Sequence, residues 1–479
     1  MLIDNEELIS ILGSFNPWWK NEPIQGLPDW ERALFKELYT WVKNPPTPRA
    51  IMLSGARQIG KTTLVLQSIS KLLKENTPPE NILYATFDHP ILKLAGIEKV
   101  LTAWRTLQPK KEGKEFIFLD EAQFIKDWGT WVKHQVDFHK STRQIVFTGS
   151  ALPLVKAGQE SGVGRWHTLQ LTTLSFFEYL RITKTELPKL PTPDTLQEVF
   201  KWSDAELTQV RDTTSEYIPH FHQYLLLGGF PQTTLTRDIY QAQKLIREDI
   251  IDKVLKRDMT ALFGVRLITE LESVFLYLCL HDGAIAHIQT MCKELELKRP
   301  TVDSFIDLLE STHLIYRLRP LGYGKEVLKG KAKLYLSDPA IAPAVFLKGQ
   351  SYLENPTALG TLAESAVLKH CHCASLQNNI KLSYWREKET HEVDIVVESE
   401  GKTIPIEVKY RSPISEKDLL GLNLFYKKKS ATHGYLITKF YSDLKKVSNP
   451  FPILQIPAAL FCYWLGEKEL NHHTPQSPF

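Results

Sequence analysis

The octapeptide Gly55-Ala56-Arg57-Gln58-Ile59-Gly60-Lys61-Thr62 places two glycines, a lysine and a hydroxyl residue at a spacing suited to triphosphate binding. Glycines let backbone N–H groups curl around phosphate oxygens, an ammonium reaches the outer phosphates, and the hydroxyl ligates magnesium. Gly55 through Thr62, with Thr63 behind them, are therefore the candidate nucleotide contacts. Lys61 is the candidate catalytic lysine and Thr62 a candidate Mg2+ ligand. In "EFIFLDEAQ" an apolar run ends in Asp120-Glu121. Asp120 is suited to hold the magnesium and Glu121 to polarise the attacking water. "QIVFTGS" ends the next such run, so Thr148 or Ser150 would reach the γ-phosphate or that water. Arg165, after the glycine-rich "SGVG", is the candidate finger for a neighbouring subunit's nucleotide; a surface ion pair is the competing role.

A second constellation lies in "EVDIVVESEGKTIPIEVKY", residues 392–410, which reads as two strands around a Glu400-Gly401 turn. A two-residue loop would set Asp394 opposite Glu407, with Lys409 on the same face; Glu-Gly is a weaker turn signal than Asn-Gly, and a longer loop would shift that register. Two carboxylates so placed share a divalent metal (Mg2+ or Mn2+), and the lysine offsets charge on a phosphate. That is phosphodiester chemistry; a polar rim is the bland alternative. Residues 401–450 carry ten Lys/Arg against four Asp/Glu, with a lysine run at 427–429. Such a patch suits a nucleic-acid backbone, although charge runs are usually solvated faces. In "KHCHCAS", His370, Cys371, His372 and Cys373 are close together, but their spacing on one helix points them to different faces. Helix packing is the expected role there.

The first constellation needs a parallel sheet behind it. "AIMLSG", "NILYATFD", "EFIFLDE" and "QIVFTGS" are short, continuously apolar and end in polar residues, as central parallel strands do. Helical stretches alternate with them. Residues 267–320 predict three helices and a strand, with 324–338 returning as a basic strand. Three helices plus a hairpin is the winged-helix pattern, with Pro300–Glu310 as the recognition helix. The chain of 479 residues, 24% charged and 43% hydrophobic, excludes bulk disorder and implies several domains. The net charge of +3 leaves any nucleic-acid argument to local patches. No apolar run spans a bilayer, the start lacks a secretory pattern, and five cysteines favour a reducing compartment. A cytoplasmic location is expected.

The combination of "FNPWW", "GARQIGKTTL", "FLDEAQ", "TGSA", "GRWHTLQLTTLSFFEYL", "GGFPQ" and "YLSDPA" resembles a family of bacterial and archaeal AAA-type ATPases. These join a P-loop domain to a winged-helix-like segment and a C-terminal domain that looks like the PD-(D/E)XK nuclease fold. The resemblance implies ATP binding and leaves the physiological substrate open. It also implies that Glu364, in the helical "LGTLAESAVLKH", is an accessory metal-site acid beside Asp394 and Glu407. The expected fold class is α/β: a P-loop AAA+ domain over 1–182, a helical linker over 183–265, a winged-helix-like domain over 266–345 and a restriction-endonuclease-like domain over 346–479. The expected function is ATP hydrolysis coupled to the handling of DNA, branched DNA included, with a homo-oligomer compatible with the finger. The alternatives are a nucleotide-dependent switch acting on a protein partner and an ATP-licensed metal-dependent nuclease.

Overall fold

The computed structural model describes residues 5–150, 164–324, 327, 330–387, 391–429, 431–448, 450–471 and 477–479, with backbone only at 261, 262 and 471. The chain divides into two compact units, Met1–Thr172 and Thr173–Phe479.

The first unit is built on five strands: β1 (Ala50–Ser54), β2 (Ile82–Thr86), β3 (Glu115–Asp120), β4 (Arg143–Gly149) and β5 (Trp166–Gln170). Their order is β2-β3-β4-β1-β5 and every pairing is parallel. β1 and β3 are buried along their whole length. That explains their unbroken apolar character, since parallel sheets are covered on both faces. The helix α1 (Asn5–Phe15) packs on α2 (Pro90–Leu107), and both contribute to the core that holds Leu83, Ile117 and Phe147. β2 is an edge strand, and edge strands expose unpaired backbone groups. The "FNPWW" segment covers this one. Asn16, fully buried, donates from Nδ2 to Tyr84 O (2.9 Å) and accepts from Tyr84 N–H at Oδ1 (2.8 Å). The indoles of Trp18 and Trp19 both donate to Ile82 O.

In the second unit, α3 (Phe176–Ile182) starts with a reciprocal cap between Ser175 and Glu178. Its Phe176, Tyr179 and Leu180 join the large core of this unit, so the break in the chain falls before α3 and not after residue 182. Helices α4 (Ile268–Leu280), α5 (Ile288–Glu294) and α6 (Arg299–Ser311) precede an antiparallel hairpin of β6 (Ile315–Leu318) and β7 (Lys333–Leu336). An isolated antiparallel bridge joins Ile285 to Lys333 beside this two-stranded hairpin. Next comes α7 (Pro356–Gln377), whose Asn355 cap accepts from two N–H groups. It leads into a six-stranded sheet of β8 (Ile380–Glu387), β9 (His391–Ser399), β10 (Lys402–Lys409), β11 (Gly434–Thr438), β12 (Lys445–Val447) and β13 (Ile453–Pro457). The order is β12-β13-β11-β10-β9-β8. β8, β9 and β10 form an antiparallel meander. Then α8 (Leu420–Lys429) crosses over and β11 runs parallel to β10.

Candidate functional site

β1 ends at Ser54, and the loop from Gly55 to Gly60 returns into the helix Lys61–Lys74. Two glycines are required there. Gly60 sits at φ +98°, and a Cβ on Gly55 would lie 2.2 Å from Leu171 O and 2.4 Å from Ile59 Cδ1. A buried arginine absent from the sequence reading fixes the loop from beneath: Arg32 donates to Ile59 O (2.7 Å) and Thr172 O (2.9 Å). The Lys61 ammonium donates to the carbonyls of Gly55 (2.9 Å) and Ala56 (2.8 Å) and lies 4.0 Å from Glu121 Oε1.

β4 lies between β1 and β3, yet the side chains at the ends of all three strands meet. Asp120 Oδ2 accepts from Thr62 Oγ1 (2.8 Å) and from Tyr84 OH (3.0 Å). Its Oδ1 accepts from Thr148 Oγ1 (2.5 Å). Burial, and then the adjacent Glu121, push the Asp120 carboxyl above its usual range, while the bonds from Thr148, Thr62 and Tyr84 oppose the rise. Asp120 and Thr62 together are hard oxygen donors within one hydrogen bond of each other, a donor set that fits magnesium. Glu121 adopts the left-handed region (φ +55°), an uncommon conformation for a non-glycine residue. Its N–H donates to Thr148 Oγ1 (3.0 Å), which turns the side chain away from Asp120 and toward Lys61. Gln123 Nε2 donates to Glu121 Oε2 and to Ser150 Oγ (3.1 Å), and Ser150 Oγ donates to Glu121 Oε2 (3.3 Å). Thr148 therefore serves Asp120 and Ser150 serves Glu121. Tyr84 and Gln123 were missed because a lone tyrosine in a strand and a glutamine after "LDEA" carry no pattern.

Arg165 does not approach this loop. It precedes β5, where its carbonyl accepts from Ala50 N–H at the start of β1, the opposite end of the strand from Gly55. Its guanidinium pairs with Asp137 (3.2 Å) on the surface. It cannot serve the nucleotide site of its own chain, and the "SGVG" stretch before it lies outside the described residues up to Gly164.

At the other constellation the turn is as expected: Glu400 and Gly401 both have positive φ, and Lys402 pairs with Ser399 and Ile406 with Ile395. That register carries Asp394 and Glu407 toward one another. Glu364, on α7, joins them through Lys333, which the sequence reading did not single out. The Lys333 ammonium is 3.1 Å from Asp394 Oδ1 and 3.7 Å from Glu364 Oε1, and it pairs with Glu392. Lys409 pairs with Glu407, Tyr335 OH donates to Glu364 (2.7 Å), and Val408 N–H donates to Asp394 Oδ2 (3.0 Å). Burial and then the Asp394 charge raise Glu364 to about 7 and Glu407 to about 8. At Asp394 burial acts in the same sense, but Lys333 and Lys409 outweigh it and hold the carboxyl below its usual range. The expected second metal centre is not formed by this arrangement. Among the described residues no three His, Cys, Asp or Glu side chains are placed to hold a metal ion. An ammonium stands among the acids.

The histidine–cysteine cluster is packing. His370 Nδ1 donates to Ala366 O (2.7 Å) and Nε2 accepts from Phe176 N–H (2.9 Å), so the ring is neutral and fully used. Cys371 and Cys373 are buried and unbridged. No described helix is long and apolar enough to cross a membrane.

Residues 47–180 match the family model described as AAA domain, while residues 218–352 and 359–458 match two domains of unknown function. An uncharacterized protein of Haemophilus influenzae is 26% identical over 319 residues, 64% of this chain and 72% of that one. An uncharacterized protein of Methanocaldococcus jannaschii is 23% identical over 373 residues, 77% and 76% of the two chains. Among solved structures, the Aeropyrum pernix Orc1 protein in complex with DNA gives a TM-score of 0.29 at 13% identity, covering 69% of this chain and 96% of that one. AMPPCP-bound DnaA from Aquifex aeolicus gives 0.25 at 13% identity, covering 61% and 90%. The five parallel strands and the Gly55–Thr62 loop all lie within residues 47–180, the stretch that matches the AAA domain model.

Proposed function

We propose that this protein binds ATP with Mg2+ at Gly55–Thr63, hydrolyses it, and uses the cycle to handle DNA. The observation that carries the first part is the convergence of Thr62, Asp120, Thr148, Glu121 and Lys61 from three strand ends, with a satisfied hydrogen-bond partner for each polar group. Bound magnesium would be held by Thr62 and Asp120 and would neutralise charge on the phosphates. Lys61 would exchange its two carbonyl partners for phosphate oxygens. Glu121, already turned by the Thr148 contact and braced by Gln123 and Ser150, would take up and orient the water. Arg165 would act only on another copy's nucleotide, after leaving Asp137. Steady-state turnover tests this: Lys61→Ala is expected to abolish it, and Glu121→Gln to retain ATP while turning over at a small fraction of the parent rate. An unaffected rate in both variants overturns the site.

For DNA, support comes from α8, whose last turn exposes Lys427, Lys428 and Lys429, although Lys428 also pairs with Glu387. The winged-helix reading of α4 to β7 is retained, but α6 is a poor groove reader. Its solvent side carries Asp303, Asp307 and Glu310 beside Arg299, and Arg317 is committed to Asp307 and Glu310. Carboxylates facing phosphates would repel. The helix, meander, crossover helix and parallel strand from α7 to β11 support a nuclease-like fold used for holding DNA. Replacing Lys427, Lys428 and Lys429 by alanine is expected to weaken duplex and branched DNA alike and to flatten the salt dependence. Unchanged anisotropy titrations would remove the lysine run from the account.

A further inference from the structure

The carboxylate cluster of the second unit has a cation of its own, and its origin in the fold is informative. Lys333 belongs to β7, in the hairpin that follows the three helices, whereas Glu364, Glu392, Asp394 and Glu407 belong to α7, β9 and β10. Lys333 is 3% exposed, so its charge has been taken out of water and is matched by Asp394, Glu364 and Glu392 together. Lys409 accounts for one oxygen of Glu407; the other, Oε2, is buried and has no hydrogen-bond partner. A cluster of this kind has unspent capacity for positive charge. A cavity of about 490 Å³ opens onto its Lys333 and Glu392 side, lined also by Arg386, His281, His287 and Tyr277.

We infer that Lys333, seated among Glu364, Glu392 and Asp394 next to the Glu407–Lys409 pair, is the resident cation of this cluster, and that its ammonium and a divalent ion exclude one another from that seat. The same oxygens of Asp394 and Glu364 face the ammonium and would be the ligands of the ion, and two cations at that separation repel. The consequence is a latch. While Lys333 is in place, β7, buried at every position, is tied to the acid-bearing strands and the cluster takes no metal; removal of the ammonium frees the carboxylates for a hard divalent cation.

The test is thermal unfolding of the full chain without nucleotide, in chelator and in Mn2+, for the parent, Lys333→Met, and Lys333→Met combined with Asp394→Asn. The parent is expected to melt at the same temperature in both media. Lys333→Met is expected to melt lower in chelator and to be restored by Mn2+, and the added Asp394→Asn is expected to remove that response. This readout does not involve ATP, so it stands or falls apart from the nucleotide site. A parent stabilised by Mn2+ in a manner that Asp394→Asn abolishes would overturn the exclusion. A Lys333→Met chain that ignores both Mn2+ and Mg2+ would overturn the seat. If Lys333→Met fails to fold in chelator, refolding with Mn2+ replaces melting as the comparison; recovery supports the inference and failure to recover overturns it.

Discussion

At the level of single residues, the nucleotide site separates two acids by neighbours and backbone, not by type. Asp120 is sunk among three hydroxyl donors and suits a fixed cation, whereas Glu121, one residue on, is swung into the left-handed region and braced by Gln123 and Ser150. If that bracing orients water, Gln123→Leu will lower kcat about tenfold and leave KM for ATP unchanged, since it removes positioning and not binding. A rise in KM with constant kcat would assign Gln123 to ATP binding instead. The sequence made Lys61, Thr62, Asp120 and Glu121 legible because each stands at a fixed offset from a strand end. It left Arg32, Tyr84 and Lys333 illegible because they arrive from distant segments and no local spacing marks them. Arg165 pairs with Asp137 within its own chain, the ion-pair alternative to a finger on a neighbouring subunit, and that partner is visible only in three dimensions.

Among the secondary-structure elements, the edges and junctions carry the information. The pairing of Asn16 with both backbone groups of Tyr84 imitates one rung of a further strand, which explains why "FNPWW" accompanies the P-loop so far away in sequence. Asn16→Ala leaves two buried backbone groups without partners and should cost about 1–3 kcal/mol in chemical denaturation of the first unit. A loss of only a few tenths would mean that water replaces it. The motifs "GGFPQ" and "YLSDPA" also meet. Gly229 N–H donates to Asp338 Oδ2 (2.9 Å), and Lys369, fully buried, reaches Asp338 (3.4 Å), Tyr224 OH (2.6 Å) and Leu174 O. Lys369→Met strands a buried carboxylate and is expected to destabilise the second unit by roughly 3–5 kcal/mol. The β9–β10 hairpin was readable as two strands about Glu400-Gly401, but Glu-Gly is a weak turn signal that leaves a longer loop open, and the register is fixed by the two positive φ angles seen in the structure. The first break in the chain was not readable, because α3 has no composition shift before it and its allegiance is decided by Phe176, Tyr179 and Leu180 packing into the second core.

At the scale of the molecule, burial of titratable groups sets how stability depends on pH. His370 is depressed to about 3, by burial first and then by Lys369, and burial lowers His372 and His433 to about 4. Each binds its proton less readily folded than unfolded, so their contribution is complete above the ordinary histidine value near 6.5. It is lost as pH falls from there toward 4. These rings pull the melting temperature down between pH 6.5 and 4, against Glu364 and Glu407, whose raised carboxyls bind protons more readily folded and stabilise as pH falls; His433→Gln should shrink the loss of melting temperature from pH 6.5 to 4 relative to the parent, and an unchanged difference would deny that this ring stays neutral. The account as a whole depends on ATP being turned over by the first unit. The most direct measurement is steady-state ATP hydrolysis by the full chain with and without duplex and branched DNA, alongside Lys61→Ala. The account predicts magnesium-dependent turnover that DNA raises and Lys61→Ala abolishes. Turnover that persists in Lys61→Ala, or its absence from the parent under every condition, would contradict it.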